Sequence, residues 1–184
     1  MQPDVRKFLG KLPNGSVSSV YIPQQKPATN APLADQQAYV AQITEKMGDG
    51  FTQLHIAAGL GYLDVLNSLI KPNTKLNTPN NMGDTAVHAA AENYQLAALE
   101  RLIEARADIT AQNIKGETPL NAATQTFSTS VLSTPDKIKV LKLLISCGNK
   151  ITAPDRFGKT PADYLNENGL GAVEEFVRST AYAE

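Results

Sequence analysis

The sequence predicts an all-α solenoid of about four stacked two-helix units behind an N-terminal capping helix. Three observations predict it. Glycines recur at Gly50, Gly83, Gly116 and Gly158, spaced 33, 33 and 42 residues apart. A threonine stands two residues after each one, at Thr52, Thr85, Thr118 and Thr160. Apolar residues at helical spacing then follow in the first three units. A period of about 33 residues marks units that cannot bury their apolar face alone and do so by stacking.

Residues 1–32 come first and differ from the rest. Pro3, Pro13, Pro23, Pro27 and Pro32 rule out a regular helix there. This arm reads as extended or partly disordered, with "SSVYI" as a possible short strand. "ADQQAYVAQITEK" at 34–46 reads as a helix with Asp35 as N-cap and Val40, Ile43 and Met47 on one side. Residues 33–48 are therefore a capping helix or the remnant of a preceding repeat. The second reading draws on Ile43, which lies seven residues before Gly50 as later apolar anchors lie before theirs.

The repeats follow as residues 49–82, 83–115 and 116–157, with a terminal capping repeat at 158–184. In each, the threonine can cap a helix by accepting a backbone N–H. Pro119 and Pro161 occupy the first helical position, where the missing N–H costs nothing. Small-residue helices begin "LHIAAG", "VHAAAE" and "LNAATQ", and alanines let neighbouring helices approach closely. Second helices carry bulkier stripes: Leu63, Leu66, Leu69 and Ile70; Leu96, Leu99, Leu102 and Ile103; Ile138, Leu141, Leu144 and Ile145. Leu76, Ile109 and Ile151 anchor the closing turns. The nine residues by which the last spacing exceeds 33 fall in a Ser/Thr-rich insertion near 126–136.

Composition sets bounds on function. The chain has 184 residues, 42% hydrophobic and 19% charged, which suits a soluble protein with a real core. A net charge of −1 gives no global field for nucleic acid, so no nucleic-acid partner is expected. No apolar run is long enough for a membrane span or a secretory signal. The single cysteine, Cys147, can form no internal disulfide. A cytoplasmic or otherwise intracellular setting is expected, the cytosol of a host cell included.

Catalytic chemistry finds little footing. His55 and His88 are 33 residues apart and hold equivalent places. They could form a metal or acid–base pair, or each could order its own loop near Thr52 or Thr85. Repetition in register favours the second role, since functional sites are usually irregular grafts on a regular scaffold. Cys147 has no base or orienting group nearby in sequence, and Glu174 and Glu175 read as a solvated face. No phosphate loop or nucleophile elbow occurs. No enzyme activity, cofactor or metal is expected.

The segments "GFTQLHIAA", "GDTAVHAAA" and "GETPLNAA", with "LDVLNSLI", "LAALERLI" and "IKVLKLLI", resemble the ankyrin repeat family over about Gly50 to Val177. The resemblance implies paired antiparallel helices, hairpin-like loops projecting on one side, and a concave groove that binds other proteins. Departures are Gln53 and Ala86 where the family has Pro, Asn121 where it has His, and Asp163 at that place in the terminal unit. The resemblance also makes Asn77 a candidate substrate for an asparagine hydroxylase; otherwise it simply tightens its turn.

Family pattern places partner-binding residues around each glycine and at the ends of the first helices. Here these are Phe51, Asn81, Met82, Asp84, Ile114, Lys115, Glu117, Arg156, Phe157 and Lys159, with Glu92, Asn93 and Gln125. The expected function is a non-catalytic protein–protein interaction module, monomeric alone, binding a protein partner through the groove. Alternatives are a regulatory or substrate-recruiting subunit of an enzyme complex, or a host-directed effector of an intracellular bacterium or virus.

Overall fold

A computed structural model describes residues 26–125 and 135–167. The arm up to residue 25, most of the insertion, and residues 168–184 with the Glu174–Glu175 pair lie outside the described residues. Among those described there are eight helices and no strand. They are α1 (Leu33–Met47), α2 (Gln53–Leu60), α3 (Leu63–Leu69), α4 (Ala86–Glu92), α5 (Leu96–Glu104), α6 (Pro119–Gln125), α7 (Pro135–Ser146) and α8 (Pro161–Glu167). The predicted all-α solenoid is what the chain forms.

The helices stack in two columns. α2, α4, α6 and α8 pack one on the next as the inner column, and α3, α5 and α7 as the outer column. α1 packs on both α2 and α3, so it covers the first end of each column. Its start differs from expectation. Helix α1 begins at Leu33 behind Pro32, without a side-chain cap, and Asp35 sits inside the first turn. There its carboxylate complements the helix dipole rather than capping the end.

Small residues make the inner column tight. Ala57, Ala58, Ala90, Ala91 and Ala123 are all fully buried. At Gly59 a Cβ would lie 3.6 Å from Ala89 Cβ, so α2 and α4 meet almost backbone to backbone. The outer column contributes the bulk. Leu66, Leu99, Leu102, Leu141 and Leu144 are fully buried, each worth about 1.5–3 kcal/mol of transfer free energy. Leu63 departs from its predicted stripe and is exposed, while Val65 turns inward instead. At a helix start, 100° per residue lets the neighbouring position take the core-facing side.

The last residues of the arm are tied down. Gln36, fully buried, donates through Nε2 to Thr29 O (3.0 Å) and Ala31 O (2.8 Å). Tyr62 donates its hydroxyl to Pro27 O at 2.6 Å.

Candidate protein-binding face

Four turns carrying the periodic glycines project at the N-terminal ends of the inner helices. They are called tips one to four. The three gaps between successive tips, with the inner helices behind them, are the seams of the stack. A backbone hydrogen bond crosses each seam: Asn81 N–H to Asp49 O (2.8 Å), Ile114 N–H to Met82 O (2.9 Å), and Arg156 N–H to Lys115 O (2.8 Å). The glycines permit this closeness. Gly83 has φ +80°, and a Cβ there would meet Ile114 N at 2.7 Å. Only a residue without a side chain fits both demands.

Each of the later tips is also pinned from within. Asn80 Oδ1 accepts the N–H groups of Met82 and Asp84, both at 2.9 Å. Asn113 does the same for Lys115 and Glu117, and Asp155 for Phe157 and Lys159. These residues were missed in the sequence reading. The signal was present, since Asn or Asp stands three places before Gly83, Gly116 and Gly158.

Behind each tip the threonine cap forms. Thr52 and Thr85 are extended N-caps closed by capping boxes with His55 and His88. Thr52 N–H and Thr85 N–H each donate to the histidine Nδ1 at 3.2 Å. With Nδ1 accepting, the proton sits on Nε2. His55 Nε2 then donates to Asp84 O (2.9 Å), and His88 Nε2 to Glu117 O (3.0 Å). Each histidine thus closes its own cap and bonds the following tip across the seam. Burial lowers both imidazole pKa values, which keeps the rings neutral as this geometry requires. Among the described residues no group of three or more His, Cys, Asp or Glu could hold a metal ion.

The predicted partner-binding residues divide into three sets. Asn81, Lys115 and Arg156 are exposed, Ile114 is 47% exposed and Phe157 73% exposed. Met82, Asp84, Glu92, Asn93, Gln125 and Lys159 are partly buried. Phe51 is partly buried as well, packing on the core and edge-on to the His55 ring at 5.8 Å between centroids. Glu117 overturns its predicted exposure, being buried at 6% exposed. Its carboxylate accepts from Asn113 Nδ2 (2.8 Å) and Gln125 Nε2 (2.7 Å), and Lys115 Nζ lies 3.9 Å away. A buried carboxylate holds its charge only with such partners, so Glu117 and Gln125 organise the face from beneath. Asn93 is similarly turned back, donating to Ala89 O at 2.8 Å.

Electrostatics on this face are layered. Lys115 and Arg156 stand on adjoining tips, joined by the backbone bond between them, with Lys159 beyond. Asp84, Glu92 and Glu117 lie deeper. Burial, then the charges of Asp84 and Glu117, push the Glu92 carboxyl up to about 7, and Lys115 only partly opposes this. In the segment that leads from α3 to tip two, Asn77 Oδ1 accepts Asp108 N–H at 2.8 Å. Asn77 thus links its turn to the equivalent turn of the next repeat. Cys147 is partly buried beside Ser146 Oγ at 3.9 Å.

No helix among the described residues is long and apolar enough to cross a membrane. A comparison with curated protein sequences finds no match. A family model described as "Ankyrin repeats (3 copies)" matches residues 33–113 and 54–155, together 123 of the 184 residues. Proteins built from these repeats are typically non-catalytic and generally act as protein–protein interaction modules. With two thirds of its length so matched, the chain belongs to the ankyrin repeat family.

Proposed function

We propose that this chain is a binding module that recognises a protein partner with its tips and the adjoining face of the inner helices. One observation carries the reading. Two of the exposed large apolar side chains, Ile114 and Phe157, stand on successive tips whose backbones are bonded together. An exposed aromatic beside an Arg, with a second exposed apolar side chain on the adjoining tip, has the composition enriched at interfaces. Tips two to four are each pinned by their own Asx bonds, so ordering the individual tip on binding costs little. Met82, Asn81, Lys115, Arg156 and Lys159 would surround the apolar pair and supply polar contacts. Glu117 and Gln125 would act indirectly by holding the third tip in place.

The test is capture of a partner from native-cell lysate by immobilised protein, repeated with Ile114→Ala/Phe157→Ala. The expected result is a stoichiometric partner held by wild type and lost by the variant, with an unchanged melting temperature. A partner held equally by both would overturn the assignment to the tips.

A further inference from the structure

The three seams are not equally bonded. At the second seam, between tips two and three, four hydrogen bonds cross among the described residues: the tip backbone bond, His88 Nε2–H to Glu117 O, Asn113 Nδ2–H to Asp84 Oδ1 at 2.8 Å, and Tyr94 O–H to Ala123 O at 2.6 Å. At the first seam, His55 and the tip bond cross. At the third seam the His and Asn donors are both replaced. Asn121 stands where His88 stands, and Asp155 where Asn113 stands.

The consequences are local and specific. Asn121 Oδ1 still closes the cap, accepting Thr118 N–H (3.0 Å) and the Thr118 hydroxyl (2.7 Å). Its Nδ2 is too short to reach the next tip and is buried without a partner. The carbonyl that the repeat register offers it is Lys159 O, which accepts only the internal bond from Asp155 N–H at 2.9 Å. Asp155 has no donor to send across the seam. Its Oδ2 accepts the Tyr164 hydroxyl at 2.6 Å, a bond inside the fourth unit. Among the described residues, Arg156 N–H to Lys115 O is the hydrogen bond that remains between tips three and four, and Ala162 N–H to Ile151 O (3.2 Å) ties α8 to the closing turn of repeat three. Asp163, at the His position of the last unit, is exposed and accepts Thr160 N–H within its own unit (2.8 Å).

From this pattern we infer that the third seam is a hinge, at which tip four and α8 detach as a unit while the first three units stay folded. The fourth unit keeps its own cap, its Asx-pinned tip and its Tyr164–Asp155 bond, so opening costs it none of these. Among the described residues, opening breaks the Arg156–Lys115 backbone bond and the α6–α8 packing, while the Ala162–Ile151 bond joins α8 to the segment about which it turns. Opening also hydrates an amide that is unpaired when closed. In a stack where each unit touches only its neighbours, the weakest seam sets where partial opening occurs. The hinge lies between Ile114 and Phe157, so a ligand touching both would hold it shut.

Amide hydrogen exchange on the full chain tests this. In wild type, α8 amides such as Leu165 should exchange at least about 10-fold faster than α4 amides such as Ala91, through a separate opening. Asn121→His restores the seam donor and should narrow that ratio by about 10-fold, leaving α4 unchanged. His88→Asn should move the opening one unit inward, so that α6 exchanges together with α8. Exchange of α8 in concert with α4 in wild type would overturn the hinge. So would both variants leaving the α6 and α8 ratios to α4 unaltered.

Discussion

Replacing His88 by Asn isolates one hydrogen bond across the second seam, and the protein supplies its own template for the result. At Asn121 the shorter side chain still accepts from Thr118 N–H and Oγ–H at 3.0 and 2.7 Å. Asn at position 88 should therefore keep the Thr85 cap. The loss is the Nε2–H donor to Glu117 O at 3.0 Å. Glu117 O is not stranded, because it also accepts Asn113 N–H at 3.0 Å. The new Nδ2 is stranded, since position 88 is only 2% exposed. One buried donor left unpaired costs about 1–3 kcal/mol. In a chain of this size each kcal/mol moves the melting temperature by about 2–4 °C. The expected drop is roughly 2–12 °C by thermal circular dichroism at pH 7.5. His88→Ala strands no side-chain donor, but it leaves Thr85 N–H without its acceptor and empties the space of a buried ring, so its midpoint should fall below that of the Asn variant. The reasoning fails if His88→Asn melts within about 1 °C of wild type, or if Asn and Ala variants melt together.

Other predictions rest on separate features. Burial holds the folded pKa of His55 and His88 below 6.5, so the unfolded chain binds more protons below that value. Their contribution is complete above pH 6.5 and lost as pH falls through the folded values. A His55→Gln/His88→Gln variant should therefore show a smaller loss of melting temperature between pH 7 and pH 5 than wild type; an equal loss would count against it. Glu92 works in the opposite sense, because its folded pKa is raised from 4.5 to about 7. Its contribution is complete below pH 4.5 and lost as pH rises through about 7. Glu92→Gln should match wild type near pH 4.5 and exceed it by on the order of 2 kcal/mol at pH 8, allowing for partial exposure. A difference independent of pH would contradict this. Gly83→Ala meets both a left-handed φ and the Ile114 backbone, whereas Gly158→Ala has φ +79° and nothing within 4 Å. Urea titration should show a cost of about 1 kcal/mol at Gly158 and clearly more at Gly83; equal costs would remove the steric argument.

Much of the fold was legible because its instructions are short-range. A Thr cap and its partner lie three residues apart, so Thr52–His55 and Thr85–His88 can be read from adjacent letters. The tip pins are equally local, and Asn80, Asn113 and Asp155 could have been found from their fixed distance to a glycine. The exposed tip residues Ile114 and Phe157 follow from the repeat register. Leu63 and Asp35 were misplaced because helix starts are set by a residue or two, which apolar spacing does not resolve.

The sequence by itself determined the period, the caps, the two helices of each unit and the stacked all-α architecture. Each of these depends on residues within a turn or two of one another, or on an interval that recurs. Only the tertiary structure decided what crosses the seams. The Nε2 of His88 finds a carbonyl 29 residues on, and Asn113 joins two carboxylates from different units. Those pairings exist only once neighbouring units are in register. For the same reason Glu117, which sits on a projecting tip, is buried, and Phe51 is partly buried against His55. Stacking, not the unit, sets which side of a tip meets water.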